Sequence, residues 1–149
     1  MNIHQLPLTP FRTPFFLANP HVQTILPKFI KLPKPNYQRH LHSDRTGTTQ
    51  VAYDFVFANT DNQPNLDKPL AVMFHGLEGS SDSHYAIAFA HQAHRLGYDA
   101  VIVHFRGCGG VDNTSELDYN AGDTAEAVHM FNLLKTQYGY SRIVASGVS

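Results

Sequence analysis

Two hydrophobic periods alternate along this chain, and each change of period marks a new element. Between residues 49 and 57, Val51, Tyr53, Phe55 and Phe57 alternate with Ala52, Asp54 and Val56. Period two with one more apolar face predicts a strand, pairing antiparallel with residues 37–42 through a turn at 43–48 that contains Gly47. Residues 59–69 are polar, with prolines at 64 and 69, and read as a surface loop. Leu70 to Phe74 is an unbroken apolar run, the pattern of a strand covered on both faces. It stops at His75-Gly76 and enters a loop with Gly79 and Ser80-Ser81-Asp82-Ser83. The period then changes to that of a helix over about 84–96. Ser83 is its N-cap, Gly97 its stop, and Tyr85, Ala88, Phe89, Ala93 and Leu96 form its buried stripe. A second buried strand over 99–105 ends in Arg106-Gly107-Cys108-Gly109-Gly110. Asn120, with Asp123 three residues on, predicts a helix start. Val128, Phe131, Leu134 and Tyr138 supply the stripe of that helix and Gly139 its end. A third apolar strand over 142–146 runs into Gly147-Val148-Ser149.

Strand, helix, strand, helix, strand with short turns predicts an α/β fold with a mostly parallel sheet, right-handed crossovers and an antiparallel edge. A third interior strand with no helix after it leaves one face uncovered, so the chain is expected to be the first part of a larger design. Residues 1–36 differ in character. Prolines at 7, 10, 14, 20, 27, 33 and 35 exclude a long helix or a central strand. The expectation is a proline-rich wrapping arm over 1–36, with a short helical turn around 21–26, and a body over 37–149. Phe11, Phe15, Phe16 and Phe29 call for burial against that body or in a pocket.

Composition narrows the function. A chain of 149 residues with 42% apolar residues suits one ordinary domain. Eleven Lys and Arg against twelve Asp and Glu create no basic field for nucleic acid or anionic lipid. No apolar run approaches the length of a transmembrane segment, and the first twenty residues lack the layout of a secretion signal. One cysteine, Cys108, excludes an internal disulfide and fits a reducing compartment, so a cytoplasmic location is expected. Ten histidines are many for this length. His91 and His94 stand three apart on a helix, yet no third ligand and no His-Glu-x-x-His pattern accompany them, so no metal or cofactor is expected.

The chemistry concentrates at strand ends, where open α/β sheets bind ligands. A peptide N–H freed by Gly76 can face a developing negative charge, and Leu77 N–H is the candidate. The plainer alternative is that Gly76 and Gly79 only permit a tight turn. Gly147-Val148-Ser149 begins the Gly-x-Ser-x-Gly pattern, in which a strained strand-to-helix turn lifts the serine hydroxyl above the sheet. A phosphate cradle at residues 107–110 is disfavoured because the third glycine of a dinucleotide fingerprint is missing. Cys108 beside Arg106 is read as a small core thiol rather than a nucleophile.

With these stretches in place, the chain resembles the amino-terminal half of the YheT-like branch of α/β-hydrolases. The matching segments are Asn19-Pro20-His21-Val22-Gln23-Thr24, the run from His75 to Tyr85, Phe105-Arg106-Gly107-Cys108-Gly109-Gly110, Gly122-Asp123-Thr124 and Gly147-Val148-Ser149. The resemblance implies a partial α/β-hydrolase fold truncated at the nucleophile elbow, and hydrolysis of small-molecule carboxylic esters, short-chain or lipid-like. It assigns the nucleophile to Ser149 and one oxyanion N–H to Leu77, with Arg106, Cys108 and Asp123 lining or bracing the site. The triad runs Ser, then Asp or Glu, then His in such enzymes, so both partners are expected beyond residue 149. His75, His84 and His104 are not expected to replace the base. The alternative is a non-catalytic truncated product or interaction module.

Overall fold

The computed structural model describes residue 10, residues 12–120 and residues 122–148. The chain divides into two compact units, Met1–Lys31 and Leu32–Ser149.

In the first unit a 3₁₀ turn, Phe15–Leu17, precedes helix α1, Pro20–Phe29. The Asn19 side chain accepts from His21 N–H at 2.8 Å, and Pro20 takes the first helical position, where no N–H is needed. The helix is longer than the turn expected at 21–26 and accommodates Pro27. Among the described residues this unit has no core of its own around its aromatic rings. Phe15, Phe16 and Phe29 are 91%, 58% and 75% exposed, and Phe11 lies outside the described residues.

The second unit is a five-stranded mixed sheet in the order β1-β2-β4-β3-β5. Its strands are β1 Gln38–Ser43, β2 Gln50–Val56, β3 Leu70–Phe74, β4 Ala100–Val103 and β5 Ile143–Gly147. β1 and β2 form the antiparallel edge, β2 meets β4 antiparallel, and β3 lies parallel to both β4 and β5. The interior strands read as continuous apolar runs because their side chains alternate between two covered faces. Val72, Val101 and Val103 face Met130, Leu133 and Leu134 of helix α3, Thr124–Tyr138. Ala71, Met73, Ala100 and Ile102 share two smaller clusters with the alanines of helix α2, His84–Arg95.

Three local expectations shift. Helix α2 buries Ala86, Ala90 and Ala93, while Ala88 and Leu96 are exposed. Small residues let the helix axis approach the sheet, and the larger Tyr85 and Phe89 pack at the flank. Helix α3 is capped by Asp123, whose carboxylate accepts from Glu126 N–H at 3.0 Å. Asn120 instead closes its own turn, accepting from Gly122 N–H. The buried stripe of α3 is Glu126, Met130, Leu133 and Leu134, and Val128 is exposed. β5 stands at the edge of the sheet formed by the described residues with Val144 61% exposed, in keeping with the uncovered face expected of a strand with no helix after it.

Candidate functional site

β3 and β5 run parallel with Phe74 opposite Gly147, so both carboxyl ends open on the same side of the sheet. Val148 N–H donates to Phe74 O at 3.1 Å and extends that pairing one residue past the strand. On the other strand the chain turns sharply at residues 76–79, closed by Gly79 N–H donating to Gly76 O at 2.8 Å. Glu78 takes a positive φ of 55° in this turn. Close approach, rather than φ, favours glycine at two positions here. A Cβ on Gly76 would lie 3.1 Å from Val148 O, and one on Gly79 would lie 2.2 Å from the Tyr85 hydroxyl. That hydroxyl accepts from Gly76 N–H at 3.2 Å, tying the turn to α2.

Among the described residues the Leu77 amide has no hydrogen-bond acceptor. The Leu77 side chain is 79% exposed and stands between two cavities. One, of about 1040 Å³, is lined by Phe74, His75, Phe105, Tyr119, Gly147 and Val148 among others. The second, of about 870 Å³, is more polar and includes Arg39, Ser80, Ser81 and Cys108 in its wall. Leu77 and Tyr119 belong to both. Ser149, the expected nucleophile, lies outside the described residues.

The histidines named from sequence separate by burial. His75 is 2% exposed, and its Nδ1 lies 2.8 Å from Gly76 O. A carbonyl only accepts, so Nδ1 carries the proton and Nε2 is left to accept from Phe105 N–H at 3.4 Å. Both nitrogens are engaged, and burial pushes the ring's pKa below its ordinary value. His75 therefore shapes the turn. His104 is fully buried and likewise depressed by burial. His84 is exposed. His91 Nε2 bonds Pro33 O, and among the described residues no group of three or more His, Cys, Asp or Glu is placed to hold a metal.

Arg106 is a buried cation at 3% exposure. Its Nε donates to Asp44 at 2.7 Å, Nη1 to Asp123 at 3.1 Å, and Nη2 to Glu126. Burial alone raises the Asp44 pKa, but the Arg106, Thr46 and backbone hydrogen bonds outweigh it and hold the carboxyl at about 2. Asp123 thus caps α3, joins this ion cluster and lines the larger cavity. Burial pushes the Cys108 thiol up, away from thiolate reactivity.

Sequence reading missed a second polar group of the core. Arg39 forks onto Asp54 through Nε and Nη2, both at 2.7 Å, and Asp54 accepts from Ser81 Oγ at 2.5 Å. The available signal was Asp54 itself, a carboxylate in the middle of an otherwise apolar strand with arginine on the neighbouring one.

The described residues form an α/β fold with a five-stranded mixed sheet, and known proteins share parts of it. The Est1E structure from Butyrivibrio proteoclasticus, solved with ferulic acid bound, superposes with a TM-score of 0.60 at 15% identity, over 74% of this chain and 42% of that one. This likeness concerns the fold. In sequence the chain is homologous to "Putative esterase YheT" of Escherichia coli, 34% identical over 89% of this chain and 38% of that protein. It is also homologous to Phospholipase ABHD3 of Homo sapiens, 27% identical over 85% of this chain and 32% of that protein. The chain therefore spans about a third of the length of the curated relatives it matches. No family model matches it. Among the described residues, no helix is long and apolar enough to cross a membrane.

Proposed function

We propose that this chain carries the nucleophile and oxyanion parts of a serine hydrolase that acts on carboxylic esters. Ser149 is the nucleophile, and Leu77 N–H is one donor to the oxyanion that forms when the serine attacks the ester carbonyl. The observation that carries the reading is the contact between Gly76 and Val148. The carbonyl of the residue before Ser149 lies against the glycine before Leu77, whose amide has no acceptor among the described residues. A backbone N–H held in place before charge develops stabilises the tetrahedral intermediate without reorganising, an effect worth about 10² to 10³ in turnover per donor.

The aromatic-lined cavity beside Val148 suits an apolar acyl group, and the more polar cavity across Leu77 suits the alcohol portion. The chain is read as the part of the hydrolase fold that runs up to the nucleophile turn. The acid and base of the triad are then supplied by residues outside these 149. His75 and His104 are not that base, because both nitrogens of each ring are already occupied. A serine without a base is a poor nucleophile, so activity belongs to the assembled protein.

Fluorophosphonate labelling of the protein expressed from its complete reading frame tests the reading. Covalent labelling at Ser149, lost in Ser149→Ala, is expected together with hydrolysis of nitrophenyl esters. A folded protein that neither takes the label nor cleaves the esters would favour a non-catalytic role.

A further inference from the structure

We infer that His104 and Asp54 are positioning residues, which hold Ser81 and thereby fix the 75–83 loop so that the Leu77 amide faces the reacting carbonyl. The role of Leu77 rests on the function proposed above; the anchoring itself stands on separate contacts. Ser81 is 3% exposed, and each of its polar groups is held from a different place in the fold. Its N–H donates to His104 Nε2 at 3.1 Å, just past the end of β4. Its hydroxyl donates to Asp54 Oδ2 on β2 at 2.5 Å. Its carbonyl accepts from the Tyr37 hydroxyl at 3.0 Å. The loop's own bonds, Gly79 N–H to Gly76 O and Ser83 N–H to Ser80 O, fix its shape but not its position over the sheet. Ser81 supplies that position together with the Tyr85 contact to Gly76, the Phe105 N–H bond to His75 and the Lys34–Asp82 ion pair.

The partners of Ser81 are themselves fixed. His104 Nδ1 lies 3.2 Å from Ala52 O, so it carries the ring proton and leaves Nε2 bare to accept. Gly109 closes over the ring, where a Cβ would fall 2.4 Å from Cδ2. Arg39 holds both oxygens of Asp54 and donates from Nη1 to Gly109 O at 2.8 Å, joining the 107–110 loop to the same cluster.

A titrating acceptor makes the anchor sensitive to protonation. The charged and titratable groups facing His104 are Asp54 on β2, whose Oδ2 is 3.7 Å from Nε2, Arg39 behind it on β1, and the His75 ring past β3 at 5.4 Å between centroids. Burial keeps His104 below its ordinary 6.5 against the pull of Asp54, so the ring is neutral at pH 7. Once protonated, Nε2–H opposes Ser81 N–H donor to donor and has Asp54 as its nearest acceptor. The Ser81 anchor then opens while the sheet stays paired.

Amide hydrogen exchange on the full protein, corrected for intrinsic rates, reads this directly. In the wild type, protection of the bonded loop amides, Ser81 above all and Gly79, Ser80 and Ser83 with it, should fall about tenfold on acidification through the His104 titration, the equivalent of one hydrogen bond. His104→Gln, which keeps a neutral acceptor, should retain protection and lose the pH dependence. His104→Ala and Ser81→Ala should each lose about tenfold protection in 76–83, while β2 and β4 amides keep theirs. Ser81→Ala removes only the hydroxyl bond and so tests the Asp54 half of the anchor; if His104→Ala does not fold, the wild-type pH dependence and its loss in His104→Gln decide the His104 half. Unchanged loop protection overturns the inference, and so does a loss shared equally by every core amide, which would mark a merely structural contact. If exchange follows this pattern but the wild type takes no fluorophosphonate label, the anchor stands and the hydrolase reading fails.

Discussion

Gly76 and Val148 meet backbone to backbone: a methyl group on the glycine would stand 3.1 Å from the valine carbonyl oxygen. Neither side of this contact yields easily. Val148 N–H is paired to Phe74 O, and Gly76 N–H to the Tyr85 hydroxyl. Gly76→Ala should therefore push the turn and the end of β5 apart by a few tenths of an ångström. The proposed function makes that displacement costly, because small misplacements of reacting groups lower turnover by up to about 10². Ester hydrolysis by the complete protein should fall at least tenfold in Gly76→Ala, with a stability loss of only about 1 kcal/mol in urea. Unchanged turnover in a folded variant would argue against the Leu77 assignment.

The Arg106 cluster sets a larger cost. Three carboxylates converge on one buried guanidinium, and Asp44 and Glu126 are 2% and 1% exposed. Removing the cation strands buried charge, which typically costs about 3–5 kcal/mol. Arg106→Met should destabilise by that amount in urea titrations. Arg106→Lys keeps the charge but cannot fork to three partners, so it should recover only part of the loss.

Most of the fold was legible because buried parallel strands carry an unmistakable signal. The runs at 70–74 and 100–103 are apolar at every position, and the glycines that end α2 and α3 sit where helices commonly stop. The helix faces were less legible. α2 packs on alanines whose small size, not their hydrophobicity, brings the helix close to the sheet, and a stripe drawn through the largest side chains misses them. β5 was legible as a strand of interior composition with nothing after it to cover its second face, and its exposed Val144 fits that reading. At the strand-end turn, Gly76 and Gly79 could be named from the strand-to-loop transition. The Arg39–Asp54–Ser81–His104 group could not, since its members come from four segments brought together only by the tertiary fold.

Stability should depend on pH in two separate windows. Asp44 is held at about 2 against an ordinary 3.8, so its contribution is full above the ordinary value and is lost as pH falls toward 2. That loss should amount to about 2 kcal/mol. His42, His75 and His104 are all lowered from 6.5, chiefly by burial. Below 6.5 the unfolded chain binds protons that the native rings refuse, so stability should decline as pH drops from 6.5 and level off below the native values. Urea midpoints measured from pH 8 to pH 2 should show both declines, and His104→Gln should flatten the upper one. A midpoint constant between pH 7 and pH 5 would contradict the burial of these rings.

Gly109 and Gly110 separate two costs that usually arrive together. Both have positive φ, 66° and 78°, where an L side chain costs about 1–2 kcal/mol. Only Gly109 is also crowded. Its Cβ would fall 2.4 Å from His104 Cδ2, within an enclosed ring, whereas nothing lies within 4 Å of a Cβ on Gly110. Gly110→Ala should lose about 1 kcal/mol and leave the 76–83 loop undisturbed. Gly109→Ala should lose roughly 2 kcal/mol more from overpacking, and should lower the exchange protection of the Ser81 amide because His104 cannot move without releasing it. Equal losses in the two variants would mean that the Gly109 backbone can back away from the imidazole, and that Arg39 does not hold its carbonyl in place.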